Sequence, residues 1–257
     1  MDHEVFDKVK ADLTADEGYL RNHEHRFRLS IEAVQAASES SGDTPRLLDI
    51  GCWPGYLSLY FQRKDWKVSA IDLKPDRLPL ISEAGIELLA HNLNDFPDLP
   101  FPDNHFDTIL FTEVFEHLNP ASFKELFAGI GRCLKPGGRL ILTTPNRFAL
   151  NKSLFMPNRW SEPEVDEEGH GHWKEYKLAE VIACFENTGL KVIRKQTISF
   201  YSHLGRSNET GYFPLENWKS HPNKLRNFGK ILINPIRNLP LFRDSLFVVA
   251  QKDLKAG

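Results

Sequence analysis

Cysteine is scarce: the 257 residues hold three, Cys52, Cys133 and Cys184, far apart and with no CxxC pair. That excludes a disulfide framework and a cysteine-rich zinc site, and it fits a reducing compartment. No run of about 18 or more apolar residues occurs, which argues against a membrane-spanning helix. The opening residues MDHEVFDKVKADL are charged and lack the apolar centre of an export signal, so a cytoplasmic location is expected. No charge of one sign dominates. Thirty-two Lys and Arg stand against 35 Asp and Glu, a net charge of -3, so there is no electrostatic case for general nucleic-acid binding, and no nucleic-acid partner is expected. Internal repeats and low-complexity tracts are also missing.

What is present is an alternation. RLLDI, WKVSAIDL, IELLAH, HFDTILFTEV, RLILTTP, LKVIRKQTIS and DSLFVVAQK read as seven strands. GYLSLYFQRK, PDRLPLISEAG, SFKELFAGIGRCL and KLAEVIACFENTG read as helices between them, with KPGG as a turn. Strands alternating with helices predict an α/β fold with a parallel sheet covered on both faces. The whole chain, 1–257, reads as a single domain. Residues 1–41 form a helical lid, with Phe27, Ile31, Val34 and Ala37 on one stripe. Two stretches break the repeat, 146–171 and 200–243, and loops of that length are usually functional or carry structure of their own. The first leaves the carboxyl end of a strand, where open parallel sheets place their ligands, so it is the better candidate for a substrate wall.

One strand-to-helix turn carries chemistry. Asp49, Gly51 and Gly55 lie in LLDIGCWPGYLSLYF, where glycines allow positive φ and a close backbone approach to a ligand. A tight turn without ligand is the bland alternative. Asp72, 17 residues after Gly55 at the end of the second strand, strengthens the ligand reading, because a carboxylate there can accept both hydroxyls of a ribose. Taken alone, Asp72 also suits a helix N-cap. A dinucleotide site would need G-x-G-x-x-G, and that spacing is not met. A P-loop fails too, since no GK[ST] follows.

LLDIGCWPGYLS, VSAIDL, HNLNDFPDLPFPDNHFDTILFTEVFEHL and LKPGGRLILTTPN resemble, in order and spacing, the successive motifs of class I S-adenosylmethionine-dependent methyltransferases. The resemblance covers about residues 46–197. It implies a Rossmann-like, doubly wound seven-stranded sheet with the last strand antiparallel, and S-adenosyl-L-methionine as cofactor. It sets the turn with Asp49, Gly51, Cys52, Trp53 and Gly55 against the methionine part, and Asp72 with Leu73 at the ribose. Asn92 and Leu93 would frame the adenine, with Asn92 where many members have Asp. Thr112 and Glu113 would lie beside the transferable methyl. EVFEHL resembles the family's helix-opening signature, with Glu113 and His117 at i,i+4; a polar cluster that only fixes this helix is the alternative. Trp53 departs from the small residues usual in this turn. With Pro54 pushing it towards extended backbone, Trp53 is expected to keep negative φ and to border the pocket without closing it.

Methyl transfer from a sulfonium requires alignment and, for a hydroxyl or protonated amine, proton removal. Candidate bases are His117, His170, His172 and Tyr176, the last three in GHGHWKEY. His172 could instead cap or pack the next helix. Arg26 could bind the cofactor carboxylate, or belong to a solvated helix face. A metal held by Asp166, His170 and His172 lacks a supporting second cluster, so no metal is expected. Residues 219–243 carry six Lys or Arg, no acid and many apolar residues. That pattern suits an anionic membrane surface or a lipid-linked substrate, or else a helical cover with a basic outer face. The expected acceptor is a small molecule, saccharide or lipid-linked compound, with O-methylation favoured. The alternative is a catalytically inactive S-adenosylmethionine-binding scaffold or regulatory partner.

Overall fold

The computed structural model describes residues 1–13, 17–38, 44–147, 171–198 and 245–254. His170, Asp166 and the basic stretch 219–243 lie outside these, as do nearly all of 146–171 and 200–243. The apolar runs form seven strands: β1 (Arg46–Ile50), β2 (Lys67–Asp72), β3 (Glu87–Ala90), β4 (Phe106–Thr112), β5 (Leu134–Pro145), β6 (Leu190–Ile198) and β7 (Ser245–Lys252). They make one sheet in the order β3-β2-β1-β4-β5-β7-β6. β1 to β5 pair in parallel, and β7 runs antiparallel to both β5 and β6. The fold is therefore the expected mostly parallel, doubly wound sheet with an antiparallel last strand.

Among the described residues six α-helices cover it: α1 (His3–Asp12), α2 (Glu17–Ser38), α3 (Tyr56–Gln62), α4 (Pro79–Glu83), α5 (Phe123–Cys133) and α6 (Leu178–Ala183). Strand side chains alternate between the faces. Leu48 and Ile50 of β1 and Ile109 and Phe111 of β4 join the core under α5 and α6, with Phe115, Phe127 and Phe185. Leu47 and Leu110 join the other core, under α1, α2 and α3, with Phe6, Phe27, Ile31, Val34 and Tyr60. Continuous apolar strands are what a sheet buried on both faces requires. Asp49 shares a strand face with Leu47, so its carboxylate points under α3 rather than into open space.

Two local expectations change. KPGG does not separate two elements: β5 begins at Leu134 and carries a register break, with Leu134 opposite Phe106 and Arg139 opposite Thr108. Gly137, at φ +79, absorbs the extra residues. EVFEHL does not open a helix. Glu113 has φ +58, and a single 3-10 turn, Phe115–His117, follows. The i,i+4 relation of Glu113 and His117 therefore does not hold. β1 lies at the switch point, with β2 and β3 on one side and β4 and β5 on the other, and a crevice opens beyond the carboxyl ends of β1 and β4. No helix among the described residues is long and apolar enough to cross a membrane.

Candidate functional site

The crevice is a cavity of about 620 Å³. Its floor is the turn after β1. The Gly51 N–H donates to the Ile71 carbonyl at 2.8 Å, which ties the turn to β2. Gly51 has φ +66, and a Cβ there would lie 2.3 Å from Val114 Cγ2. Only glycine meets both constraints without strain. Gly55, at φ +105, starts α3, and its N–H donates to the Cys52 carbonyl at 2.7 Å. Beneath the turn, Ser58 Oγ donates to Asp49 Oδ2 at 2.6 Å and clamps α3 to β1. Burial, reinforced by the charge of Asp72, lifts the Asp49 pKa to about 6. Asp49, Cys52 and Gly55 thus shape the turn from below and do not line the cavity.

Trp53 does line it. Its φ is negative, its ring is 58% exposed, and it meets Tyr19 edge-on at 5.8 Å. The indole stands as a side wall, as expected. The Trp53 backbone N–H donates to Asp72 Oδ2 at 3.2 Å, while the Lys74 backbone N–H donates to Oδ1 at 3.0 Å. Two backbone donors therefore aim the Asp72 carboxylate and leave acceptor capacity on both oxygens. Leu73, Asn92 and Leu93 continue the wall. Asn92 holds its own loop, with Oδ1 accepting from the Asn94 N–H at 3.0 Å and Nδ2 donating to Asp95.

These features fit S-adenosylmethionine. A backbone cradle that excludes even a Cβ borders an oriented carboxylate for a diol. Beyond it lie apolar side chains and an amide for a base. Arg26 of α2 is 4% exposed and lines the same space.

The other end of the cavity is acidic and imidazole-rich. Thr112 ends β4, and Glu113 follows in the left-handed region, its N–H donating to Thr143 O at 2.9 Å. That backbone turns Glu113 Oε1 to within 3.6 Å of Arg26 Nη1. Glu116 is 1% exposed, and its Oε2 accepts from Thr144 Oγ1 at 2.9 Å. Burial, and then the charge of Glu113, hold its pKa well above the ordinary carboxylate value. The Glu116 carbonyl accepts from the Trp173 N–H at 2.8 Å, and the Gly171 carbonyl lies 2.5 Å from His117 Nδ1. These contacts dock residues 171–174 on the 3-10 turn and bring the His172 ring to 4.9 Å from that of His117.

His23, on the cavity wall, has its pKa lowered to about 2 by burial, aided by the charge of Arg26. The folded chain keeps this ring neutral while the unfolded chain protonates near pH 6.5. Stability present above pH 6.5 is therefore lost as pH falls below it. Melting curves from pH 7.5 to 5 should show a fall that His23→Gln makes shallower, by about 1 kcal/mol per pH unit.

Of the expected residues, Arg26, Gly51, Trp53, Asp72, Leu73, Asn92, Leu93, Thr112, Glu113, His117 and His172 line the cavity. Tyr176 does not. It is 3% exposed and packs on Phe115 at 4.3 Å and Phe123 at 5.7 Å. Its hydroxyl is buried with no hydrogen-bond partner among the described residues, and burial raises its pKa, so Tyr176 is set aside as a base. The aromatic neighbours of this position come from a distant helix and turn. Sequence reasoning gave Glu175, Asn94 and His91 no role, yet all three line the cavity. His91 and Asn94 flank Asn92, and that proximity was the available signal.

The family model for a methyltransferase domain matches residues 22–195. A ubiquinone biosynthesis O-methyltransferase of Xanthomonas euvesicatoria is 31% identical over 169 residues, 63% of this chain and 68% of that protein. One from Xylella fastidiosa is 31% identical over 154 residues, 56% and 60% of the two chains. Among solved structures, a SAM-dependent methyltransferase from Archaeoglobus fulgidus has a TM-score of 0.57 at 15% identity, covering 92% of this chain and all (100%) of its own. The [4+2]-cyclase SpnF scores 0.56 at 17% identity, covering 89% and 81%, so likeness of fold alone does not set the reaction. The family model spans more than half of the chain and includes the turn, Asp72 and the acidic end of the cavity, and the chain belongs to the S-adenosylmethionine-dependent methyltransferases of class I.

Proposed function

We propose that the chain methylates a hydroxyl oxygen of a small-molecule, saccharide or lipid-linked acceptor. One observation carries this reading: Glu116, His117 and His172 meet at the cavity end opposite Asp72. The cofactor, when bound, supplies an activated methyl group on a sulfonium. Asp72 and Asn92 would orient it from one side, and Arg26 would meet its carboxylate. The acceptor would enter beside Glu113, where Glu116, His117 and His172 can take up the charge of the leaving hydroxyl proton. α2 covers this space with Tyr19, His23 and Arg26, which supports the lid reading of the N-terminal region. The O-methyltransferase names of the relatives support oxygen over nitrogen or carbon.

The test is an acceptor panel of dihydroxyphenols, saccharides and amines with methyl-labelled cofactor. We expect label in a methyl ether. Label only in an N-methyl product would contradict the reading. Cofactor binding without any turnover would favour the scaffold alternative.

A further inference from the structure

We propose that Asn94 is a positioning residue for methyl transfer: through its bond to the Asn119 N–H, the seating of the cofactor's base sets the 3-10 turn that carries Glu116 and His117. The bond stands on its own geometry; its use in the reaction rests on the functional reading above. Asn94 lines the cavity, as do its neighbours Asn92 and Leu93.

The turn needs outside support. Phe115–His117 is a single 3-10 turn, closed by the His117 N–H to Val114 O at 2.9 Å and the Leu118 N–H to Phe115 O at 3.4 Å. Such a turn is a weak element by itself. Leu118 then leaves in extended backbone, φ -97 and ψ 146, and lines the cavity. At the next residue the Asn119 N–H donates to Asn94 Oδ1 at 2.8 Å, across 25 positions of sequence. A backbone N–H can only donate, so the Asn94 amide is fixed with its oxygen towards Asn119. The Ser122 hydroxyl adds a longer bond, 3.5 Å, to the Asn94 carbonyl. On its other side the turn rests on α5, where Phe115 stacks on Phe123 with ring centres 4.3 Å apart.

Asn94 belongs to the loop that would frame the adenine, and that loop is braced internally. The Asn94 N–H donates to Asn92 Oδ1 at 3.0 Å, and Asn92 Nδ2 donates to Asp95 Oδ2 at 2.7 Å. The Asn92 carbonyl accepts from the N–H groups of Asp95 at 3.2 Å and Phe96 at 2.9 Å. A loop closed on itself passes a displacement on instead of absorbing it. Leu93 and Leu118 are buried in one core and both line the cavity. A base packed against Leu93 therefore acts on a loop bonded to Asn119, two positions beyond His117. Loop and turn make one connected wall, with the base at one end and the acceptor groups at the other.

Backbone hydrogen exchange of the full chain, with and without S-adenosylhomocysteine, tests this without turnover. In wild type the product cofactor should slow exchange by about threefold or more in peptides covering 90–96 and 115–122 alike. Asn94→Ala should bind it within about threefold of wild type and keep the protection at 90–96, but lose it at 115–122. Asn94→Asp keeps an acceptor oxygen and should restore it. Asn119→Pro removes the donor while suiting the backbone, with φ -64 at Asn119 and an extended Leu118 before it. On that background, adding Asn94→Ala should change nothing further. With a methylated acceptor in hand, Asn94→Ala should lower kcat about tenfold and leave the KM for S-adenosylmethionine within about threefold. Cofactor protection of 115–122 that survives in Asn94→Ala would overturn the proposal. So would an Asn94→Ala loss of S-adenosylhomocysteine affinity as large as its loss of kcat, which would make Asn94 a cofactor contact. The expected exchange pattern with no methylated product would count against the functional reading and leave the coupling standing, so the two fail separately.

Discussion

Gly51→Ala should lower stability by about 2–5 kcal/mol and abolish measurable cofactor binding. Two terms add. A left-handed backbone costs a residue with a Cβ about 1–2 kcal/mol. The new methyl would also start 2.3 Å from Val114 Cγ2 in packed surroundings, and overpacking of this kind costs about 1–3 kcal/mol. Relief requires movement of either the turn or the start of the 3-10 turn, and both line the cavity. Gly85→Ala separates the terms. Gly85 is also left-handed, at φ +74, but nothing lies within 4 Å of a Cβ there. It should cost only the backbone term and leave cofactor binding intact. Thermal melts and calorimetry on the two variants check this. Adding Val114→Ala to Gly51→Ala should recover part of the loss. Equal effects of the two glycine variants would mean that close approach at Gly51 is not what the turn needs.

Asp72→Ala should weaken S-adenosylmethionine binding on the order of 100-fold. A carboxylate accepting two hydroxyls makes two charge-assisted hydrogen bonds, each worth about 1.5–3 kcal/mol when a charged group takes part. Part of that is offset by water at the exposed edge. Asp72→Asn keeps one acceptor oxygen and should lose about tenfold. Both variants also unpair the backbone donors of Trp53 or Lys74. Their melting temperatures show whether the turn itself has moved. If Asp72→Ala bound the cofactor as tightly as wild type, the ribose would lie elsewhere and the cavity would need another occupant.

The turn after β1 and the position of Asp72 beside it were readable in the sequence because local rules fix them. A buried strand, two glycines and a carboxylate at the next strand end determine one another over about 25 residues. Even Trp53 was placed correctly from its neighbour Pro54. The sequence was less informative where residues meet through tertiary docking. Glu116 and His117 were visible, but as part of a helix. The left-handed Glu113 replaces that helix with one turn, and this changes which side chains face the cavity. His172 reaches His117 only because the 171–174 backbone bonds to the Glu116 carbonyl, more than 50 positions away in sequence. Tyr176 looked like a base beside two histidines, yet Phe115 and Phe123 draw its ring into the core. Asp49 looked like a cavity residue, yet strand alternation turns it beneath α3, where it holds Ser58.

On the proposed function, one cavity holds S-adenosylmethionine between Asp72 and the Glu116–His117–His172 cluster. A crystal structure with S-adenosylhomocysteine tests it most directly. It should show both ribose hydroxyls on the Asp72 carboxylate, the adenine against Leu73 and Leu93, and the sulfur towards Glu113 and the histidines. A product cofactor seated elsewhere, or a sulfur facing away from that cluster, would contradict it.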